Sequence, residues 1–110
     1  MSLPTLNVLL DECVDGRLAR HLKPFTVTTV PKKGWSGVKN GRLLRLAQSD
    51  FDVFITVDRN LSFQQNLIDL DLAVIVLCSK TNRLNDLLPL APQILKLIPV
   101  IPSGHVVSFS

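Results

Sequence analysis

Asn7-Val8-Leu9-Leu10-Asp11-Glu12 is a short apolar run that stops at two adjacent carboxylates. Residues 6–10 do not alternate apolar with polar, which marks a strand buried on both faces. Residues 51–57 repeat the pattern, mostly apolar and stopping at Asp58. Strands of this kind belong to parallel sheets covered by helices on each side. In an open parallel sheet, ligands and chemistry gather beyond the carboxyl ends of the strands. Asp11, Glu12 and Asp58 are therefore expected together at one sheet edge. Carboxylates gathered there repel one another, so a positive partner is expected among them, either a divalent cation or an Arg or Lys.

The rest of the chain supplies the connections. Val14, Leu18 and Leu22 form a helical stripe, with Asp15 in its first turn and Pro24 ending it. Residues 25–30 are rich in Thr and Val and read as a second strand. Residues 31–41 form a polar loop with Gly34, Gly37, Gly41 and the only Trp. Asn40 is suited to cap a helix whose apolar side is Leu43, Leu44 and Ala47. Residues 52–57 are the third strand, 63–67 a helical turn, and 72–77 the fourth strand. Residues 81–97 have helical leucine spacing interrupted by Pro89 and Pro92, so a kinked or restarted helix is expected. Residues 105–109 read as a last strand at an edge, where antiparallel pairing is admissible. Strands alternating with helices predict one α/β domain over residues 1–110. Its core is a mainly parallel sheet of four or five strands with helices on both faces. The right-handed crossover rule is expected to place the ends of strands one and three on the same edge.

Composition narrows the function classes. The chain is 46% hydrophobic with a mean hydropathy of +0.30, and its apolar residues are aliphatic, so disorder is not expected. No apolar stretch approaches the ~20 residues of a membrane span, and residues 1–5 lack a basic start to a signal peptide. A soluble, cytoplasmic protein without a membrane partner is expected. Net charge is +3, and nine of the twelve Lys and Arg lie between Arg17 and Arg59 against three acids. That imbalance reads as a phosphate-facing surface or as a solvated helix face. Cys13 and Cys78 form no CxxC and stand far from either His, so they read as small buried side chains rather than a disulfide or metal framework.

Two chemistries fit the strand-end acids. Mg²⁺ takes one or two carboxylates together with substrate phosphate and water, and can then activate water for phosphodiester displacement. Alternatively, Asp11 or Glu12 caps the helix that follows, and Asp58 caps a turn through Asn60. Arg42, in the first turn of its helix, runs against the helix dipole. It is expected either to meet the acids or a phosphate, or to reach solvent on its long stem. Gly34-Trp35-Ser36-Gly37 misses a nucleophile elbow because Val38 replaces the final glycine and no strand leads into it, which excludes that serine hydrolase motif. Trp35 either stacks on a base or pins its loop to the core. No glycine-rich nucleotide loop follows a strand.

Three segments together resemble the short PIN-like proteins, the toxin nucleases inferred for bacterial type II toxin–antitoxin systems. They are Leu9-Leu10-Asp11-Glu12, Gly34-Trp35-Ser36-Gly37 with Lys39-Asn40-Gly41, and the run from Phe51 to Leu61. Val74-Ile75-Val76-Leu77 and Asn82-Arg83-Leu84 extend the resemblance over nearly the whole chain. The resemblance implies a PIN-like domain that cleaves RNA with Mg²⁺ or Mn²⁺, and a cognate antitoxin protein as partner. It implies catalytic roles for Asp11, Glu12 and Asp58, with Asp11 and Asp58 holding the metal. Lys39, Asn40, Arg42, Arg59 and Asn60 would contact substrate. It also allows a homodimer through the leucines of residues 84–97, which equally suffice for the core. The sequence departs from the family where Arg42 and Asn60 stand at positions often acidic in relatives. Both changes remove negative charge. They open the alternative of a weakened module that binds RNA or an antitoxin, its acids neutralised by Arg42.

Overall fold

The computed structural model describes residues 6–38, 40–58 and 69–110. Five strands, β1 (Asn7–Leu10), β2 (Thr26–Thr29), β3 (Val53–Thr56), β4 (Ala73–Leu77) and β5 (Val106–Phe109), form one sheet in the order β2-β1-β3-β4-β5. Every neighbouring pair is parallel. The α/β architecture expected from the sequence is the one observed, with β5 at an edge but parallel to β4 rather than antiparallel.

The central strands explain their own apolar runs. All residues of β3 and β4 are buried, as are Val8, Leu9 and Leu10 of β1. Successive side chains point to opposite faces, so each strand feeds two cores. Val8, Leu10, Val53, Ile55 and Ile75 pack on one face against a 3₁₀ helix (Gly16–His21), α2 (Leu84–Leu87) and α3 (Ala91–Leu97). Leu9, Phe54, Val74 and Val76 pack on the other against Leu43, Leu44 and Ala47 of α1 (Asn40–Ala47). Full burial of such a side chain stabilises the fold by roughly 1.5–3 kcal/mol.

Local chemistry corrects three expectations. The stripe Val14, Leu18, Leu22 is buried, but it is carried by a turn and a six-residue 3₁₀ helix rather than by an α-helix. Asp15 is the N-cap of that helix and accepts the Arg17 N–H. Asn40 is the first residue of α1, one position inside the boundary expected for a cap. The prolines act as anticipated: Pro89 lies in a 3₁₀ turn (Leu88–Leu90) between α2 and α3, and Pro92 lies at the start of α3, where a missing N–H leaves no helical bond unmade. The helical turn expected at 63–67 lies outside the described residues.

The connections do not share one hand. β1 to β2 and β2 to β3 step in opposite directions on opposite faces, so their hands agree. β4 to β5 steps the same way as β2 to β3 but on the other face, so its hand is opposite to theirs, and the three do not all follow the usual right-handed rule. The short 3₁₀ helix leaves β3 and β4 uncovered on its face, and α2 and α3 fill that gap, with α2 touching the 3₁₀ helix. The all-parallel register, rather than a uniform hand, brings the ends of β1 and β3 to one edge. No helix among the described residues is long and apolar enough to cross a membrane.

Candidate functional site

The chain leaves β1 toward β2 on one side of the sheet and leaves β3 on the side of β4. The carboxyl ends of β1 and β3 thus flank the topological switch point, where open α/β sheets form their binding crevice. Register places Leu10 beside Ile55, so Asp11 and Thr56 follow side by side. The Asp11 N–H extends the ladder by donating to the Ile55 carbonyl at 2.9 Å.

Asp11 and Thr56 are the buried polar residues among the described residues, 7% and 1% exposed. Burial of a carboxylate is tolerated only with donors around it, and Asp11 has them. Its Oδ2 accepts the Thr56 hydroxyl at 2.7 Å and the Cys13 thiol at 3.3 Å. Its Oδ1 accepts the Glu12 N–H at 2.8 Å. Thr56 Oγ1 in turn accepts the Asp58 N–H at 3.0 Å. One hydroxyl therefore ties the Asp11 carboxylate to the backbone of Asp58, which is half-buried. Burial pushes the Cys13 thiol up from its ordinary pKa, and the Asp11 charge adds to that rise against hydrogen bonds from Val57 and Thr56. Cys13 thus stays protonated and able to donate.

Glu12 turns outward. Both its carboxylate oxygens accept the Gly37 N–H at 3.3 Å, so it fastens the glycine-tryptophan loop over the end of β1. Gly37 has φ +82°, a left-handed conformation that favours glycine. Trp35 pins the same loop from beneath. It meets Phe51 edge-on at 6.2 Å between ring centroids, and the Lys33 ammonium lies 5.0 Å from the Trp35 ring while pairing with Asp50 at 3.5 Å. Of the two readings of Trp35, loop anchoring is the one the geometry carries. A third segment reaches in from β4: Asn82 Nδ2 donates to the Cys13 carbonyl at 3.0 Å.

The structure therefore brings Asp11, Glu12 and Asp58 to one edge. Arg42 is exposed on α1, and among the described residues it forms no ion pair; the partners of Asp11 are Thr56, Cys13 and the Glu12 N–H. Lys39, Arg59 and Asn60, and the side chain of Asn40, lie outside the described residues. Thr56 and Cys13 were not singled out by sequence reasoning as site residues. Thr56 had a signal: it is the one hydroxyl in an otherwise apolar strand, and a buried polar group needs a partner. Cys13 and Cys78 are free and half-buried rather than fully buried, packed against the cores of opposite faces.

Among the described residues, no group of three or more His, Cys, Asp or Glu side chains forms a metal cage. Two carboxylates at a strand-end crevice suit a cation that arrives with a phosphate and waters, as Mg²⁺ commonly does, rather than one held by protein alone. Comparisons of the chain with protein-family models, curated proteins and solved structures give no match.

Proposed function

We propose that the chain is a PIN-like endoribonuclease, the toxin of a toxin–antitoxin pair, cleaving RNA phosphodiesters at the β1/β3 edge. The observation that supports this most is the Asp11–Thr56–Asp58 chain of hydrogen bonds at the switch point. Asp11 and Asp58 would hold Mg²⁺ or Mn²⁺ together with the scissile phosphate. The ion, when bound, supplies a lowered water pKa and charge neutralisation at the phosphate. Thr56 and Cys13 fix the orientation of the Asp11 carboxylate, and Glu12 holds the 34–37 loop beside it. Lys39, Arg42 and Arg59, with Asn40 and Asn60, are assigned to substrate contact, a cognate antitoxin is the protein partner, and the cytoplasm is the compartment. Calorimetric titration with Mn²⁺ tests the metal assignment. Binding in the parent that disappears in Asp11→Asn is expected; no binding in either overturns it.

One observation favours a second reading. Protein donors already occupy both oxygens of Asp11, and no third acid joins among the described residues. A module that binds RNA or its antitoxin without turnover fits those facts. In that case Arg42→Glu creates Mn²⁺ binding that the parent lacks, and Mn²⁺ binding by the parent refutes it.

A further inference from the structure

A second feature lies one strand away from the acids. A cleft of about 390 Å³ opens between the 3₁₀ helix and the outer strand β2, lined by Asp15, Arg17, Arg20, Val27, Thr29 and Lys32 among others. Three cations face one carboxylate there, and that carboxylate is taken. Asp15 accepts Arg17 Nε at 3.0 Å and its terminal nitrogen at 2.7 Å. Among the described residues neither Arg20 nor Lys32 forms an ion pair, and both are exposed. The cleft therefore presents uncompensated positive charge over a floor of β-branched side chains.

Its position adds direction. Thr29 is in register with Leu10, the residue before Asp11, so the β2 wall of the cleft ends level with the strand end that carries the acids, on the 3₁₀-helix face of the sheet. No aromatic side chain lines it, so base stacking is not its means of recognition. Spaced Arg and Lys without aromatics suit the repeated phosphates of a nucleic acid backbone.

We propose that the cleft between the 3₁₀ helix and β2 binds the phosphate backbone of single-stranded RNA and guides it to the β1/β3 edge. The identity of the polyanion rests on the ribonuclease reading above; the location of the cleft does not. Arg20 and Lys32 each take a phosphate, and binding is independent of sequence.

The test is fluorescence anisotropy with a labelled oligouridylate in EDTA, so that no metal-dependent cleavage occurs. Parent, Arg20→Gln/Lys32→Gln and, as a control, Lys96→Gln on α3 are compared over a salt series. The double variant is expected to bind about tenfold more weakly at low salt. Its slope of log affinity against log salt should be shallower by about 1.4, since each single-strand phosphate that a cation neutralises adds about 0.7. Lys96→Gln should bind as the parent does. Parental affinity and slope in the double variant overturn the cleft, as does an equal weakening in Lys96→Gln. So does an acidic peptide that needs Arg20 and Lys32 while RNA binding does not. Cleavage assays in Mn²⁺ separate the two proposals: a parent that cuts no RNA, with the double variant impaired in binding, removes the ribonuclease assignment and leaves the cleft.

Discussion

The two ends of the β1/β3 pair both carry carboxylates and treat them differently. At the amino end, Asp52 is exposed, and its Oδ2 accepts the Asn7 N–H at 2.8 Å. It satisfies a backbone group at the sheet margin and keeps its hydration. At the carboxyl end, Asp11 is almost fully buried and needs Thr56, Cys13 and the Glu12 N–H to offset its desolvation. A buried charge costs several kcal/mol before compensation, and an apolar residue would finish the strand without that cost. Stability explains Asp52. It does not explain Asp11, and the proposal that the carboxyl end is the working end rests on that difference.

Thr56→Val is the substitution with the largest expected effect. It keeps the shape of the side chain but leaves Asp11 without its shortest donor and the Asp58 N–H without its acceptor. We expect destabilisation by about 2–3 kcal/mol in urea unfolding, and RNA cleavage slowed by about 10–100-fold, as for partners that orient metal ligands. Gly37→Ala comes next. Nothing stands within 4 Å of an added Cβ, so the penalty is the left-handed backbone alone, about 1 kcal/mol. Asp52→Asn should change stability by no more than about 0.5 kcal/mol, since the amide oxygen still accepts the Asn7 N–H and the group is exposed. Equal costs for Thr56→Val and Asp52→Asn would erase the contrast between the two ends.

The smallest effect lies at the mouth of the basic cleft. The Arg17 side chain and then its N–H hold the Asp15 carboxyl at about 2, below its ordinary 3.8. A depressed folded value means that this contribution is present above about pH 4 and is lost as the pH falls through 2. Arg17→Leu should return the Asp15 titration, followed by NMR, toward its ordinary range, with little change in melting temperature because the pair is on the surface.

Much of this was legible in the residues. Runs without alternation identified β1, β3 and β4 as doubly buried, and the carboxylates ending two of those runs located the edge. The 3₁₀ helix was not legible, because Val14, Leu18 and Leu22 can reach one core from a turn and a tight helix as well as from an α-helix. The parallel direction of β5 was hidden for a similar reason. Its short pattern is the same either way, and the path of α2 and α3 across the sheet decides it. Of the readings left open for Arg42, contact with the acids is not made among the described residues: Arg42 is exposed, and the donors Asp11 uses come from its own strand end and from its neighbour β3. The cleft of Arg20 and Lys32 was visible only as charge imbalance until β2 was placed beside the 3₁₀ helix.

RNA cleavage in Mn²⁺ by the parent, Asp11→Asn and Asp52→Asn sets the two ends of the same strand pair against each other. If the carboxyl end is the working end, the parent and Asp52→Asn cleave and Asp11→Asn does not. Undiminished cleavage by Asp11→Asn, or activity abolished only in Asp52→Asn, would place the chemistry elsewhere.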